Sequence, residues 1–454
     1  MAKDMTVGKP SKALFFYSIP LLISVIFQQL YNVADGVIAG KFAGEQALAA
    51  VGASYPITMI FMAIALGTNI GCSVVVSRLF GGKDYGQMKS AISTTFIACA
   101  ILCVLLTAFG LIACSTLMRM IQTPADIFED SALYLRVYVM GLTFLFLYNV
   151  CTGVYSALGD SRTPLYFLIM SSLGNILLDW LFVAKFHMGV AGVAWATFIA
   201  QGVSCILALI TLIFHLRRIS APPHPLFSIP LLKHIVYVAV PSILQQSFVS
   251  IGNLFVQGMV NACGSTVLAA YSAAIKLNTF AITSFTTLAN GVSNYTAQNL
   301  GAHKMERVSE GCKVAMKMCC AVAAPFAIFY FCFGPLAMQL FLNADRAEAI
   351  GIGTTFLRIL APFYLPIACK LMADGVLRGA SAMRCFMIST FSDLLLRVVV
   401  AFVLSVLLGM GALGIWLSWP VGWVAATFIS IYFYRKGDWR RETAPRQMER
   451  AQGK

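Results

Sequence analysis

Charge is what this sequence has least of. Only 11% of its 454 residues are charged, and acids are scarcer than bases, with 18 Asp and Glu against 32 Lys and Arg. No Asp or Glu occurs between Leu231 and Met305. A water-facing surface of ordinary kind cannot be built from so little, which excludes a string of soluble domains. No G-x-x-x-x-G-K-[ST] is present, which argues against ATP as the direct energy source, and neither H-E-x-x-H nor G-x-G-D points to an intramembrane protease. No enzyme activity is expected. The five histidines, His187, His215, His224, His234 and His303, fall in loops or at the edges of apolar runs. The 13 cysteines show no C-x-x-C and no paired spacing with His, so disulfides, metal sites and cofactors are not expected. Cys99, Cys103, Cys319 and Cys320 sit in apolar runs and read as small core residues.

What is present is apolar: 59% hydrophobic residues and a mean hydropathy of +0.82. Twelve apolar segments can be counted, at 13–39, 46–77, 90–114, 131–157, 164–184, 189–214, 234–260, 265–298, 312–334, 349–377, 385–408 and 411–434. Each is long enough to cross a bilayer as a helix at ~1.5 Å per residue. The sequence therefore predicts an all-α, multi-pass protein of the cell membrane. Met1 to Lys12 is short and basic, and the run after it is too long for a signal peptide and lacks a small-residue cleavage site, so it is expected to be kept as the first span. A stretch holding Pro222, Pro223, Pro225 and Pro230 beside Arg217 and Arg218 divides the chain. The expected organisation is an N-terminal six-helix lobe at 1–219, a linker at 220–233, a C-terminal six-helix lobe at 234–434 and a basic tail at 435–454. With the N-terminus inside, 23 of the 32 Lys and Arg fall on the cytoplasmic side. The bias of positive charge toward the cytoplasm thus puts both termini and the linker there, and explains the net charge of +14 without a nucleic-acid partner.

The two halves echo each other at a shift of about 220 positions. Ala47 to Ala50 matches Val267 to Ala270, Gly71 to Gly82 matches Gly291 to Ala302, and Leu135-Arg-Val matches Leu357-Arg-Ile. Pro20 matches Pro241, and Gly189-V-A-G matches Gly411-A-L-G. A six-span repeat returns to the same side of the membrane. The fold expected is two pseudo-symmetric six-helix bundles with a cleft between them, a plan common among transporters that alternate access.

Four carboxylates lie inside spans, Asp35, Asp179, Asp374 and Asp393, with three cations, Lys276, Lys370 and Arg397. Charge at that depth is costly enough to mark function by default. In the C-terminal half, Lys370 with Asp374 and Asp393 with Arg397 are each spaced four apart, so each pair shares a helix face and is expected to neutralise itself. In the N-terminal half, Asp35 and Asp179 have no intramembrane Lys or Arg in the first six spans, Arg136 lying at an outer edge. Unpaired acids in lipid tend to hold a proton until water or a cation arrives. Asp35 and Asp179 each come about five residues before the outer end of their spans. Asn175 is one turn deeper on the face of Asp179, and Thr197 reaches a similar level. A proton- or cation-coupling group is the reading these positions invite.

Order and spacing of several motifs carry a resemblance. They are Pro20, then A-D-G-V-I-A-G-K-F-A-G-E-Q-A-L-A-A-V-G, S-R-L-F-G-G after the second span, A-L-G-D-S-R-T-P before the fifth, N-I-L-L-D within it and G-V-A-G-V-A-W-A-T opening the sixth. Over essentially the whole chain the pattern resembles the MATE (multidrug and toxic compound extrusion) transporters, and the N-half acids look most like the DinF-like bacterial branch. The resemblance implies a secondary antiporter that exports amphipathic, often cationic organic compounds in exchange for protons or sodium ions, protons being favoured. It implies coupling through Asp35, Asn175, Asp179 and Thr197, with Gln28, Tyr134 and Asn149 as further members of a polar network and Pro20 as a helix bend. A proline bends a helix cheaply because it lacks the N–H that the ladder would use. The seventh-helix acid of the sodium-coupled NorM-like branch has no counterpart here. Met59, Phe61, Met62, Phe280 and Phe285 could line an adaptable apolar pocket. A rival within the wider superfamily is a flippase for lipid-linked precursors, in which Lys276, Lys370 and Arg397 would meet an anionic headgroup. Membrane lipids and small organic cations are the expected partners, and a monomer the expected state.

Overall fold

The computed structural model describes residues 3–38, 42, 45–343 and 345–441, and the described residues contain helices and no strand. The side chains of Asp35, Gly36, Val37, Glu45, Gln46, Leu48, Asp438 and Arg441 also lie outside the described part. The helices of the first half are α1 (Pro10–Ile38), α2 (Glu45–Gly81), α3 (Tyr85–Met120), α4 (Phe128–Met140), α5 (Leu142–Ala157), α6 (Arg162–Asp179) and α7 (Gly189–Arg217). The second half holds α8 (Ile229–Asn261), α9 (Ser265–Gly301), α10 (Met305–Cys332), α11 (Gly334–Gln339), α12 (Ala347–Leu360), α13 (Tyr364–Gly379), α14 (Met383–Phe402), α15 (Ala412–Lys436) and α16 (Asp438–Arg441).

Most helices overrun the apolar segment that announces them. Hydropathy marks only the part that matches lipid, whereas the backbone ladder continues until something stops it. Between α2 and α3 the stop is Lys83, held at a left-handed φ of 60°, and the restart is Asp84, whose carboxylate accepts the Gln87 N–H at 3.0 Å. Interruptions inside segments were not visible in the sequence. Segment 131–157 is α4 and α5, bent by 47° at Gly141, and segment 349–377 is α12 and α13 joined by a 3-10 turn, Ala361–Phe363. Both α6 and α14 run on into π-helical turns, Trp180–Lys185 and Val403–Leu407.

Ten described helices are long and apolar enough to cross a membrane, and the bent pair α4 and α5 makes eleven. The twelfth expected span, α9, has the length at 37 residues but not the apolarity. Its Asn278, Asn294, Gln298 and Asn299 are all buried, so its polar face meets protein. Asn278 accepts from the Tyr364 hydroxyl at 3.0 Å, and Gln298 from the Met5 N–H at 3.0 Å.

The chain packs into two compact units, Met1–Asp4 with Ile19–Ile243, and Met5–Ser18 with Leu244–Lys454. This differs from a division at the Pro-rich linker, because the first part of α8 packs with unit 1 and Met5–Ser18 with unit 2. The reason lies partly in Arg307, whose guanidinium donates to the carbonyls of Met5 (3.2 Å), Val7 (3.4 Å) and Gly8 (2.7 Å). In lipid, helix contact gains nothing from water exclusion, so cohesion rests on close packing and on interhelical hydrogen bonds of about 0.6–2 kcal/mol each. In unit 1, Asn69 of α2 supplies such bonds to the Asn149 carbonyl (2.7 Å) and the Thr152 hydroxyl (3.1 Å) of α5.

Candidate functional site

The site in unit 1 is built on α6. Asp160 starts that helix by accepting the N–H groups of Arg162 and Thr163, each at 3.1 Å, and the Thr163 hydroxyl at 2.8 Å. Burial by itself raises the Asp160 pKa, but the hydrogen bonds to its charged form outweigh this and hold it below the usual carboxylate range. After 18 residues the helix ends at Asp179, where the backbone widens into the π turn. Such widening is frequent where side chains are aimed at a functional site.

Asn175 and Asp179 are one turn apart and 3% and 1% exposed. The Asn175 carboxamide has complementary partners in one orientation: its oxygen accepts the Thr197 N–H at 3.2 Å, and its nitrogen donates to Asp179 Oδ2 at 3.1 Å and to the Tyr31 hydroxyl at 2.6 Å. Three helices, α1, α6 and α7, are thereby tied at one amide. Asn175, Asp179 and Thr197 are together as the sequence reading places them. Asp35 lies on α1, but its side chain is outside the described residues.

Tyr31 is the member that the sequence reading missed. Its signal was available, since it precedes Asp35 by four residues, the spacing that puts two side chains on one helix face. Tyr134 and Thr197 line a small cavity with Tyr138, Phe198 and Gln201. The Tyr138 hydroxyl there is buried and has no hydrogen bond among the described residues, so the cavity offers a donor. Two expected members of the network do not join it. Asn149 donates to the Leu145 carbonyl at 2.8 Å within α5, and Gln28 donates to Asn32 at 3.3 Å along α1. The physical reason is reach: each amide finds an acceptor on its own helix one turn away. At Pro20 the helix continues without a break, with Ser24 donating to the Pro20 carbonyl at 2.8 Å.

Unit 2 corrects one expectation. Lys370 and Asp374 pair at 2.9 Å, as their spacing suggests, but Asp393 does not pair with Arg397. Asp393 faces Lys370 at 3.9 Å across helices, while the Arg397 guanidinium lies 4.4 Å from the centre of the Trp419 ring. One ammonium thus serves two carboxylates. Spacing of four places two side chains on one face but does not choose between partners on the same helix and on its neighbour. Asp374 also accepts from the Ser430 hydroxyl at 2.6 Å, and Ser430 in turn bonds Ser389. Lys276 stands 5.5 Å over the Phe341 ring. Breaking a buried pair of this kind costs about 3–5 kcal/mol, which makes Lys370 a residue that unit 2 depends on.

Duplicated bundles of membrane-length helices carrying buried acid and amide groups are the plan of a polytopic transporter. The comparisons narrow the class. One family model, described as MatE, matches twice, over residues 20–181 and 241–403, and the chain belongs to that family. The two matches also establish the internal repeat. Among curated relatives, a probable multidrug resistance protein, YpnP of Bacillus subtilis, is 26% identical over 97% of this chain and 98% of its own length. The multidrug export protein MepA of Staphylococcus saprophyticus is 22% identical over 88% of each chain. A multidrug resistance MATE family transporter of the MOP superfamily, solved in an outward-facing conformation, superposes with a TM-score of 0.89 at 25% identity, covering 98% of this chain and 99% of that one.

Proposed function

We propose that this transporter exports amphipathic organic compounds, many of them cationic, in exchange for an inward-moving proton, with sodium as the second candidate ion. The observation that carries the reading is Asp179, 1% exposed and hydrogen-bonded through Asn175 to helices on either side. A carboxylate enclosed in low dielectric is costly as an anion, so binding of a proton, a metal cation or an organic cation beside it is favoured. These three compete for one negative group, and competition is what exchange requires. Proton entry from outside neutralises the site and releases the drug, and proton loss inward restores the charge that draws in the next.

A ligand drives such a cycle only by binding the two states of the transporter unequally. Removing the titrating group removes the difference. Proteoliposomes with imposed proton or sodium gradients, tested with a panel of fluorescent organic cations, check the reading directly. Efflux should follow an imposed proton gradient, and Asp35→Asn should leave a folded protein that no longer exports in response. Gradient-driven efflux by Asp35→Asn near the parent rate would move the coupling to Asp179. A gradient of neither ion driving efflux in the parent would overturn the antiport reading.

A further inference from the structure

The internal repeat can be set in register from backbone geometry alone. Gly192 and Gly414 stand 222 positions apart, and a Cβ at either would meet matching residues: Phe182 and Val183 at 3.1–3.2 Å in one half, Leu404 and Ser405 at 2.6 Å in the other. The turns before them agree: His187 and Gly189 have φ of 53° and 53°, Gly409 and Gly411 of 67° and 56°. Gly159 at 76° and Ser381 at 61° extend the match to the start of α6 and α14. In that register Asn175 corresponds to Arg397, and Thr197 to Trp419. Asn175 touches Thr197 in unit 1, and Arg397 touches Trp419 in unit 2. The same scaffold position that holds a neutral amide beside an acid in one unit holds a guanidinium on an indole in the other.

We infer that Arg397 and Trp419 form an anion-binding site in unit 2, suited to a carboxylate or phosphate carried on an apolar or aromatic body. Arg397 is 5% exposed, yet it makes no hydrogen bond and no ion pair among the described residues, and its Nε is fully enclosed without an acceptor. A guanidinium has five N–H donors and no way to lose its charge; here none of the five meets an acceptor among the described residues, and the one on Nε is fully enclosed. The indole face offsets part of that cost but accepts none of the in-plane N–H groups. Trp419 is 4% exposed and its own Nε1 also lacks an acceptor. The nearest acid along the helix, Asp393, is engaged by Lys370. Among the charged residues of α13 and α14 that are buried or half-buried, Lys370, Arg378 and Arg397 stand against Asp374 and Asp393, which leaves one positive charge in excess. Arg378, whose Nε is likewise enclosed without an acceptor, still donates through its guanidinium to Asn290 at 2.6 Å, whereas Arg397 donates to nothing among the described residues. A planar guanidinium stacked on a ring presents its edge for bidentate contact with a carboxylate or phosphate. Around it Phe356, Trp416 and Trp423 supply the apolar surface: Phe356 is 6.0 Å from Trp419 and 4.8 Å from Trp416, and Trp423 is 5.8 Å from Trp419.

The test is calorimetric binding to the purified full-length protein in phosphatidylcholine nanodiscs, which needs no transport. The probes are 1-naphthoate, 1-naphthyl phosphate, inorganic phosphate and, as a cation of the same shape, 1-naphthylmethylammonium. A second set of nanodiscs containing phosphatidylglycerol, titrated with naphthoate, asks whether a lipid headgroup already fills the site. Saturable binding of a naphthyl anion, weakened at least about tenfold in Arg397→Gln and less in Arg397→Lys, is the expected result. The same binding suppressed by phosphatidylglycerol would assign the site to lipid headgroups, and unsuppressed binding to free organic anions. Equal binding by Arg397→Gln, or no saturable binding of any anion by the parent, would overturn the inference. Should Arg397→Gln fail to fold, the parent alone decides, because naphthoate binding no tighter than naphthylmethylammonium excludes an anion site.

Discussion

The two units share a backbone register and differ in charge. At equivalent positions of α6 and α14, unit 1 carries Asn175, tied to Asp179, Tyr31 and Thr197, whereas unit 2 carries Arg397 on Trp419. Unit 2 keeps its acids elsewhere, sharing the ammonium of Lys370 between Asp374 and Asp393. Duplication therefore conserves where a side chain sits and leaves open what it does, which is the general relation between a scaffold and the sites grafted on it. On the proposed function, the buried acid of unit 1 changes charge by taking up one ion. In unit 2 the guanidinium of Arg397 keeps its charge and the ammonium of Lys370 is held by two acids.

The largest test of this difference is Lys370→Met. It strands two carboxylates in the interior, and the loss expected is about 3–5 kcal/mol, read as a large drop in the apparent melting temperature in detergent micelles. The double change Lys370→Met with Asp374→Leu should be milder than the single, because it removes a charge together with the group it served. Asp393→Leu with Arg397→Leu should show no such compensation, since these two are not partners. Compensation at the second pair as well as the first would restore the Asp393–Arg397 pairing by spacing that the structure replaces.

Asp179→Asn asks the corresponding question of unit 1. The amide keeps the shape and cannot titrate, so stability should change little while gradient-driven efflux falls by more than about tenfold, or ~1.4 kcal/mol in the driven step. Efflux from proteoliposomes at a fixed proton gradient measures it. A stability loss as large as that of Lys370→Met, with transport intact in the surviving protein, would make the two units alike.

Much of this was legible before any coordinates. The helical segments follow from hydropathy, and the meeting of Asn175, Asp179 and Thr197 follows from counting residues from span ends. The family resemblance extends along the same motifs, and the double match to MatE agrees with it. What could not be read is whatever depends on a neighbouring helix. Asp393 faces Lys370 of the neighbouring α13, and Gly422 of α15 comes so close that a Cβ would stand 2.8 Å from Asp393 Oδ1; neither approach is written in the spacing along α14. Asn149 and Gln28 have the composition of site residues, but acceptors on their own helices claim them. The length of α9 was visible and its interior role was not, since a polar face in a span looks the same in sequence whether it meets protein or water.

A smaller effect is expected at Asp160, which holds the start of the helix that carries the unit 1 site. Asp160→Asn should cost about 1 kcal/mol, the scale of a lost helix-starting contact. Its sign with pH is defined. The folded-state pKa lies below the unfolded value of about 3.9, so the contribution is present in full above that value and disappears as pH falls through the folded one. Thermal unfolding of parent and variant between neutral and acid pH should show a gap at neutrality that closes in acid. A gap that persists at the acid end would mean that the carboxylate's charge is not what the start of α6 uses.

The smallest effect predicted is that of Tyr31→Phe. The hydroxyl makes one 2.6 Å contact with Asn175, whose other contacts, to Asp179 and to the Thr197 N–H, remain in the variant. Loss of one such hydrogen bond among three is worth about 0.5–1.5 kcal/mol. If Tyr31 serves only to orient the amide, the variant should export at a rate within about tenfold of the parent and respond to the same gradient, with a shifted apparent affinity for the coupling ion. Measuring efflux against internal and external pH in parent and variant separates the two quantities. Complete loss of coupling with retained substrate binding would instead put the phenol itself on the path of the ion. The unit 1 site would then span α1 and α6 through titrating groups on both, and the contrast with the constant charges of unit 2 would sharpen.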